Sequence, residues 1–412
     1  MNLDTPRSKT FEVDGIPPER VVCPEDVDEV VSLVGHASQN GYSVIPWGLG
    51  ANMSLGNIPK AYHTALVCHG LRRTFDHAPG DLTLTVSAGY TLSEVNQRLA
   101  PSLQHLPLQA ADPTQVTIGG ALASGLSGPS RLGHGTLRDR LLWCQVVTAD
   151  GQRVESGARV VKSVAGFDLG KLHIGAVGSL GIITAACFKL APRPQVRFLA
   201  LATFPSWNAC ARLRAILREA RLTPTIFTLG VQGPGHGPHL GVLYFGVEGT
   251  PAGCQYQLTQ LAKACANAGC HEPQIFASER ADAVLQDHLS LRQQGNFCLR
   301  VIVLPDRVAP TIEALMGLAV PPQYIAAEME NGIITVTWAD TTTTSLAMLP
   351  AVQKMIHDAK GTWRLDACPT AWKHTGLDVW GPPRPERALM RKLKTLWDPQ
   401  GILAPGRSAG DE

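Results

Sequence analysis

Three glycine-rich segments in the first half of the chain constrain its fold more than any other feature. They lie at residues 46–52, 117–125 and 175–184. Glycine lets the backbone turn tightly and lets a ligand approach it closely, and consecutive N–H groups in such loops can bind an anion. Each segment alone is also typical of a tight turn in an α/β domain. Three of them within one domain favour a long ligand that carries phosphate.

Several familiar site motifs are absent from the sequence. It contains neither the dinucleotide pattern G-x-G-x-x-G nor the P-loop pattern G-x-x-x-x-G-K-[ST]. The metalloprotease pattern H-E-x-x-H and the hydrolase pattern G-x-S-x-G are also missing. We therefore expect a phosphate-bearing ligand to be held by something other than a Rossmann or P-loop site.

Charge and cysteine usage exclude further classes of function. Lysine and arginine total 36 against 34 aspartates and glutamates, a formal net charge of +2 without a basic stripe, so we expect no nucleic-acid partner. None of the ten cysteines forms a C-x-x-C pair, the usual sign of an iron–sulfur cluster or structural zinc, so we expect no metal in this chain.

The apolar segments are too short or too interrupted for a membrane span. Charges occur throughout residues 1–19, so we expect a cytoplasmic protein without a signal peptide. The most apolar stretch, residues 172–190, contains three glycines. That spacing predicts a strand, a turn and a second strand rather than a transmembrane helix.

The length of 412 residues suffices for two or three domains. The clearest boundary signal is Ala-Pro-Arg-Pro at 191–194, because two prolines in three residues stop a regular element. We predict domains at residues 1–193 and 194–383, followed by a C-terminal segment at 384–412.

Local patterns predict the α+β class. In the first domain, residues 24–40 have the apolar spacing of a helix, and Thr91 with Glu94 forms a capping box at the start of another. In the second domain, helices alternate with strands, which favours a sandwich of helices packed on one sheet. Asn331-Gly332 predicts a hairpin turn between two of those strands.

The order and spacing of these segments resemble the FAD-binding domain of the vanillyl-alcohol oxidase/p-cresol methylhydroxylase superfamily. More narrowly, the chain is similar to the flavin-binding E subunits of bacterial glycolate oxidase complexes. The stretches that carry the resemblance are residues 24–30, 46–52, 123–129, 135–139, 161–172, 178–184 and 398–407. The middle of the chain, 195–380, resembles these proteins only in its alternation of helices and strands.

The resemblance implies a p-cresol methylhydroxylase-type FAD-binding domain and a second, α/β sandwich domain that acts as a cap. It implies that 384–412 returns to the FAD domain. It also implies that FAD is bound noncovalently, since no histidine or cysteine occupies an attachment position. Residues 48–52 would donate N–H groups to the pyrophosphate. The residues implied to bind or support FAD are Pro46, Gly48, Leu49, Gly50, Ala51, Asn52, Thr117, Gly119, Gly120, Ser124, Gly125, Arg131, Arg138, Asp139, Gly181, Ile182, Ile183 and Arg407.

The activity implied is oxidation of a small 2-hydroxy acid to a 2-oxo acid. The chain would be the FAD-binding subunit of a glycolate-oxidase-like complex with a sister flavin subunit and an iron–sulfur subunit, held at the inner face of the membrane through its partners. Two alternatives stay open: a free-standing FAD-dependent oxidase or dehydrogenase of another alcohol or hydroxy acid, and a non-catalytic scaffold subunit.

Three residues are candidates for catalysis, Arg300, His134 and His374. Arg300 lies in an apolar strand, where a charge needs either an ion-pair partner or a substrate carboxylate. His134, beside a cofactor-region loop, and His374 are the other candidates for a base, and each is equally typical of a polar loop residue. Two histidines in the Gly/Pro segment 235–239 could share a metal, but a solvated loop is the simpler interpretation.

Overall fold

The computed structural model describes residues 9–159, 167–233, 240–339 and 343–411. Backbone contacts divide the chain into two compact units. Unit 1 takes the described residues within Met1–Ser127, Gly135–Arg193 and Lys373–Glu412, and unit 2 takes those within Gly128–His134 and Pro194–Trp372. This division rests on backbone contacts alone, and the domain boundaries predicted from the sequence stay a prediction. Within the described residues, no helix combines the length and the hydrophobicity that a membrane span requires.

The α-helices of the described residues range from one turn to five turns. In chain order they are α1 (Val27–Asn40), α2 (Leu92–Leu99), α3 (Ile118–Ser124), α4 (Arg131–His134), α5 (Leu137–Arg140), α6 (Trp207–Glu219), α7 (Pro251–Ala268), α8 (Ser278–Leu291), α9 (Val308–Met316), α10 (Thr343–Asp358), α11 (Thr370–Lys373) and α12 (Glu386–Trp397). Short 3-10 turns occur at Lys9–Phe11, Cys68–Gly70, Pro79–Asp81, Ala100–Ser102, Leu169–His173 and Pro305–Arg307.

The strands fall into two groups, ten in unit 1 and eight in unit 2 as far as the described residues show. Those of unit 1 are β1 (Arg20–Val22), β2 (Val44–Trp47), β3 (Thr64–Val67), β4 (Phe75–Ala78), β5 (Thr83–Ser87), β6 (Gln104–His105), β7 (Leu141–Val147), β8 (Arg153–Gly157), β9 (Ile182–Lys189) and β10 (Ala191–Pro192). Those of unit 2 are β11 (Val196–Phe204), β12 (Ile226–Gln232), β13 (Gly241–Gly249), β14 (Gln274–Ala277), β15 (Phe297–Ile302), β16 (Tyr324–Glu328), β17 (Ile333–Trp338) and β18 (Thr362–Ala367).

Unit 1 is built on two main sheets. A parallel sheet has the order β1-β3-β2, and an antiparallel sheet has the order β4-β5-β9-β7-β8. Helix α1 packs Val30, Val34 and Ala37 against Val147 and Ile182 of the larger sheet. A second apolar cluster joins α2 and α3 to the strands β5, β7 and β9. The helices therefore fix where the glycine-rich segments lie relative to the sheets.

The helix boundaries follow the local signals. The Asp26 carboxylate accepts a hydrogen bond from the Glu29 N–H at the start of α1, and Gly41, with φ +68°, ends that helix. Thr91 and Glu94 form both hydrogen bonds of the capping box of α2. The predicted α+β class is confirmed.

Unit 2 contains one eight-stranded antiparallel sheet in the order β14-β11-β13-β12-β16-β17-β15-β18. The turn at Asn331-Gly332 joins β16 to β17 as predicted. Alternation along β15 puts Leu299 and Val301, both fully buried, on one face of the sheet and Arg300 on the other. One face of this part of the sheet is therefore apolar, and the opposite face carries charge.

The prediction for residues 172–190 was wrong in its first half. A 3-10 turn at Leu169–His173 and further turns precede the single strand β9, where two strands were expected. The glycines explain the difference: Gly175 and Gly178 have φ of +78° and +77°, so the chain turns repeatedly instead of extending.

Candidate functional site

Unit 1 contains an open cavity with about 790 Å³ of empty space. All three glycine-rich segments contribute to its wall. The lining residues are Ile45, Pro46, Trp47, Gly48, Leu49, Gly50, Ala51, Asn52, Met53, Leu55, Cys68, Gln115, Val116, Thr117, Gly119, Gly120, Ala123, Ser124, Val177, Gly178, Gly181, Ile183 and Arg407. A concave site lined by backbone and apolar side chains with a few polar groups is typical of a cofactor or small-molecule site.

The segments approach one another so closely that two positions admit only glycine. A Cβ added at Gly48 would lie 2.4 Å from the Thr117 Oγ1, and a Cβ at Gly178 would lie 2.3 Å from the Pro46 Cγ. Thr117 is held in place because its hydroxyl caps α3 by accepting a hydrogen bond from the Gly120 N–H at 3.1 Å. The cavity is therefore a cradle of backbone, in which exposed peptide groups can reach a ligand.

A buried cation closes one side of this cavity. The Arg407 side chain is 2% exposed, and its Nη2 donates to the carbonyl oxygens of Met53, at 2.8 Å, and Leu55. Its Nη1 is buried without a hydrogen-bond partner among the described residues and lies 3.9 Å from the Asp14 carboxylate. Burial lowers the pKa of Arg407. An unpartnered guanidinium N–H beside a glycine cradle fits an anionic ligand such as a dinucleotide.

Most of the predicted cofactor residues line the cavity. They are Pro46, Gly48, Leu49, Gly50, Ala51, Asn52, Thr117, Gly119, Gly120, Ser124, Gly181, Ile183 and Arg407. Asn52 also donates from Nδ2 to the Ser124 Oγ at 3.4 Å, which links the first and second segments.

Five predicted cofactor residues lie elsewhere. Gly125 ends α3, and the side chain of Ile182 is buried in the core beside α1. Arg138 donates to the Lys171 carbonyl at 3.4 Å, whereas Asp139 accepts from the Thr136 N–H and hydroxyl at the start of α5. Arg131 lies in unit 2, where it forms an ion pair described below.

Sequence reasoning missed ten lining residues: Ile45, Trp47, Met53, Leu55, Cys68, Gln115, Val116, Ala123, Val177 and Gly178. For Val177 and Gly178 a signal existed, since both belong to the third glycine-rich segment. For Cys68, which follows β3, nothing in the local sequence marks the position as a lining residue.

Unit 2 carries an arginine cluster, which we define as Arg131, Arg292, Arg300 and Arg364 with the carboxylates Glu328 and Asp366. Register places Thr335, Arg300 and Arg364 side by side on neighbouring strands β17, β15 and β18. Asp366 accepts from the Arg300 Nε at 2.7 Å and from the Arg364 Nε at 2.8 Å. One carboxylate thus pairs with two guanidinium groups.

The second carboxylate of the cluster is shared in the same way. The Glu328 side chain, 3% exposed, lies 3.0 Å from the Arg131 Nε and 3.3 Å from the Arg292 Nη2. Arg292 is itself buried, and its Nη1 has no hydrogen-bond partner among the described residues. Unlike these groups, Arg300 and Arg364 keep 20% and 26% of their side-chain surface exposed.

The electrostatics of the cluster follow from this pairing. Burial alone would raise the pKa of Asp366, but Arg300 and Arg364 outweigh it and hold that pKa below its usual value. Burial acts to lower the pKa of Arg300, and Asp366 reverses this and raises it. Burial lowers the pKa of Arg131 and of Arg364. The cluster is therefore a charged surface that can bind a carboxylate through planar, two-pronged hydrogen bonds.

A neutral histidine lies next to the cluster. His288 of α8 is fully buried, and its Nδ1 is 2.6 Å from the Tyr324 hydroxyl, which also hydrogen-bonds Tyr244. The His288 ring stacks on Tyr244 with centroids 4.3 Å apart. Burial, with a smaller contribution from Arg292, lowers the pKa of His288 far below its usual value. His288 is therefore uncharged at neutral pH.

The three residues predicted as catalytic candidates lie in different surroundings. Arg300 belongs to the arginine cluster. His134 forms an ion pair with Glu248, and both side chains are largely buried. His374 is exposed. The predicted alternative at residues 235–239 lies outside the described residues. Within the residues described, no group of three or more metal-binding side chains converges on one point.

Comparison with known families gives two matches. The FAD binding domain family matches residues 18–157, and the C-terminal domain of FAD-linked oxidases matches residues 384–408. The first region contains two of the three glycine-rich segments, and the second contains Arg407.

Curated relatives are similar over part or all of the chain. Glycolate oxidase subunit GlcD of Bacillus subtilis is 29% identical over 50% of this chain and 44% of its own length. Glycolate oxidase subunit GlcE of Escherichia coli is 35% identical over 31% of this chain and 36% of its own length. D-2-hydroxyglutarate dehydrogenase of Xanthomonas citri is 27% identical over 95% of this chain and 89% of its own length. The chain thus spans less than half of the two glycolate oxidase subunits.

A solved structure shares the fold. Alkyldihydroxyacetonephosphate synthase superposes with a TM-score of 0.67 at 16% identity, covering 95% of this chain and 78% of its own. The cavity lined by the glycine-rich segments is consistent with the match to an FAD binding domain. The matches thus identify an FAD-binding domain at residues 18–157 and a segment similar to the C-terminal domain of FAD-linked oxidases at residues 384–408.

Proposed function

We propose that this chain is the FAD-binding subunit of a glycolate-oxidase-like complex and takes part in oxidising a 2-hydroxy acid to a 2-oxo acid. The observation that carries the proposal is the open cavity of unit 1, whose wall is formed by three glycine-rich segments and the buried Arg407. Bound FAD would accept the hydride that leaves the hydroxyl-bearing carbon of the substrate.

The residues of the cavity would hold FAD without a covalent bond. The glycines at 48 and 50 leave the backbone accessible, and the Nη1 of Arg407 offers a charged N–H to an anionic group. The single thiol among the lining residues, Cys68, is buried, and burial, with a smaller contribution from Cys23, raises its pKa to about 12. A thiol at such a pKa is a poor nucleophile at neutral pH, which supports a dissociable cofactor.

The arginine cluster of unit 2 would bind the substrate carboxylate. Arg300 and Arg364 are the accessible members, and Asp366 fixes the orientation of both guanidinium groups. Arg292 adds a buried N–H without a partner among the described residues. Guanidinium groups held in this way favour a carboxylate over a neutral alcohol.

The proposed partners are a sister flavin subunit and an iron–sulfur subunit. Their support is the similarity to subunits GlcD and GlcE of glycolate oxidase. Electrons taken up by a flavin have to be passed on to an acceptor. An iron–sulfur partner would supply that step.

A specific observation favours a second candidate, a free-standing FAD-dependent dehydrogenase of a hydroxy acid. The arginine cluster would give this chain a carboxylate-binding surface of its own. The similarity to D-2-hydroxyglutarate dehydrogenase covers 95% of this chain, more than that to either glycolate oxidase subunit. In this alternative the chain needs no sister subunit to bind and oxidise its substrate.

The deciding experiment is an anaerobic visible spectrum of the purified chain before and after addition of glycolate, D-lactate or D-2-hydroxyglutarate. Arg300→Met tests the carboxylate site, and Arg197→Met is the matched control, since Arg197 forms an exposed ion pair with Asp282 elsewhere in unit 2. We expect flavin bands in the parent and in both variants, and we expect bleaching, whether by the isolated chain or only with the partner subunits present, to be slower in Arg300→Met alone.

The outcomes separate the candidates. Bleaching by the isolated chain supports the free-standing dehydrogenase, whereas bleaching that requires the partner subunits supports the complex. A chain that takes up no flavin, even when FAD is added, refutes both.

A further inference from the structure

Four consecutive backbone carbonyls follow the first glycine-rich segment, and each accepts a hydrogen bond from a buried cation. The Arg407 Nη2 binds the carbonyl oxygens of Met53 and Leu55. The Lys373 Nζ binds those of Ser54, at 3.0 Å, and Gly56, at 2.8 Å. The two side chains therefore bind alternate carbonyls along residues 53–56.

Both cations are deeply buried, and they share one carboxylate. The Lys373 side chain is 1% exposed, and its Nζ lies 2.8 Å from both oxygens of Asp14. The Asp14 carboxylate also lies 3.9 Å from the Arg407 Nη1. Burying an ammonium group is costly unless its donors are satisfied. Here two carbonyls and a carboxylate satisfy them, so the loop and the lysine hold each other in place.

The same C-terminal region makes further bonds to this loop. The Arg407 carbonyl accepts hydrogen bonds from the Asn57 N–H at 3.2 Å and from the Trp380 indole at 2.9 Å. Val44 also pairs with Leu403 in a parallel bridge: the Val44 N–H donates to the Ile402 carbonyl, and the Ala404 N–H donates to the Val44 carbonyl. Residues 53–57 are thus held by segments more than 300 positions away in sequence.

The consequence for an anion in the cavity is electrostatic. Carbonyl oxygens carry partial negative charge, and a loop that presents them to a phosphate repels it. The carbonyls of Gly50 and Asn52 accept from the N–H groups of Met53 and Leu55, and the next four are directed toward the two cations. Six of the seven carbonyls of residues 50–56 therefore accept a hydrogen bond from the protein itself before a ligand arrives.

We infer that Lys373 and Arg407 are positioning residues that preorganise residues 50–56 for the diphosphate of the cofactor. Arg407 lines the cavity, whereas Lys373 does not and acts only through the loop carbonyls and Asp14. The inference rests on the proposed binding of FAD in this cavity. It assigns Lys373 a function in cofactor affinity although it lies outside the matched segment 384–408.

Three variants test the role of Lys373. Lys373→Met removes the cation but leaves the Asp14 carboxylate buried, so it also threatens folding. The double variant Asp14→Asn/Lys373→Met removes both charges together and keeps the charge balance. Lys392→Met is the control, because Lys392 is an exposed lysine of α12 in the same unit.

The measurements are the dissociation constants of FAD and ADP for the apoprotein, by flavin fluorescence and calorimetry, and the unfolding temperature of each apoprotein. ADP serves as a probe because it carries the diphosphate without the flavin ring. We expect the double variant to bind both FAD and ADP at least tenfold more weakly than the parent, and to unfold within about 5 °C of it. Lys392→Met should match the parent in every measurement.

Several results would overturn the inference. One is a folded double variant that binds FAD with the parental constant. Another is a variant that loses affinity for FAD but not for ADP, since the effect would then concern the ring. A double variant that does not fold would assign Lys373 to folding instead of positioning. A parent chain that binds no FAD at all refutes the proposed function itself.

Discussion

Replacing Gly48 by alanine should weaken cofactor binding through a single steric contact. The added Cβ would lie 2.4 Å from the Thr117 Oγ1, about 1 Å closer than ordinary van der Waals contact allows. Either the Thr117 side chain rotates away or the loop moves. Rotation breaks the cap of α3, which costs about 1 kcal/mol, and movement of the loop costs about 1–3 kcal/mol.

Both responses displace groups that line the cavity. FAD can then bind in the parental arrangement only if the clash is restored, and the free-energy cost of restoring it weakens FAD binding. A loss of about 1–3 kcal/mol corresponds to an increase of roughly 5- to 150-fold in the dissociation constant of FAD. The assay is a titration of the apoprotein with FAD, followed by flavin fluorescence, together with the unfolding temperature of the apoprotein.

The matched control is Gly35→Ala, a second glycine-to-alanine change in the same unit. Gly35 lies inside α1 with an ordinary φ, and a Cβ there would meet nothing within 4 Å. Alanine should therefore stabilise the helix by about 0.5–1 kcal/mol and leave FAD affinity unchanged. The double variant Gly48→Ala/Thr117→Ala removes the clashing oxygen, so its cost should be smaller than the sum of the two single changes.

The steric argument would be refuted by parental FAD affinity in Gly48→Ala. Strict additivity in the double variant would also refute it, because additivity means that the two side chains do not interact. A loss of affinity in Gly35→Ala would show that the assay reports general damage.

Three further predictions concern stability. Asp366→Asn should lower the free energy of unfolding by about 2 kcal/mol, because it leaves two largely buried guanidinium groups without their carboxylate; an unchanged urea midpoint would contradict this. Tyr324→Phe should cost about 1–3 kcal/mol, since the buried Nδ1 of His288 loses its hydroxyl partner, and equal unfolding free energies in the two proteins would disprove it. Burial lowers the pKa of His173 to about 4, so its folded state binds fewer protons than the unfolded chain between about pH 6.5 and 4. The stability that the neutral His173 contributes is fully present above about pH 6.5 and is lost as the pH falls. His173→Phe should therefore reduce the decrease in the free energy of unfolding between pH 7 and pH 5 by about 2 kcal/mol, measured by urea titrations. Identical pH profiles of the two proteins would rule this out.

The helix boundaries could be predicted because their causes are local. Asp26, Gly41, Thr91 and Glu94 each act within four residues of the helix end that they define. The stretch 172–190 could not be predicted in the same way. Its apolar residues suggest strands, and the sign of φ at its glycines depends on what surrounds them.

The cavity of unit 1 could be predicted in large part because its wall is made of backbone. Small residues are needed wherever peptide groups approach a ligand or one another, so the sequence itself shows the cradle at Gly48 and Gly120. Side-chain contacts from distant positions leave no such sign. Arg131 follows one of these segments in sequence, yet it pairs with Glu328, almost 200 residues away.

The arginine cluster shows the same limit more strongly. A charge in the apolar strand β15 indicated that Arg300 needs a partner, but not which partner. Asp366 becomes that partner only because β15 and β18 pair in a register that puts Arg300 opposite Arg364. The pairing of Glu328 with Arg292 likewise depends on where α8 packs. Such a cluster depends on strand register and helix packing, and neither can be derived from the spacing of charges along the chain.

The formal net charge of +2 does not reveal the charged groups of either unit, because it is a sum over the whole chain. The near balance of 36 basic and 34 acidic residues argues against a general polyanion partner. Within each unit, however, buried cations share their carboxylates: Lys373 and Arg407 share Asp14, and Arg300 and Arg364 share Asp366. Arg407 in unit 1 and Arg292 in unit 2 each keep a buried guanidinium N–H without a hydrogen-bond partner among the described residues. In the proposed function these donors would meet two small anionic groups, a diphosphate in unit 1 and a carboxylate in unit 2, without any excess of charge on the chain as a whole.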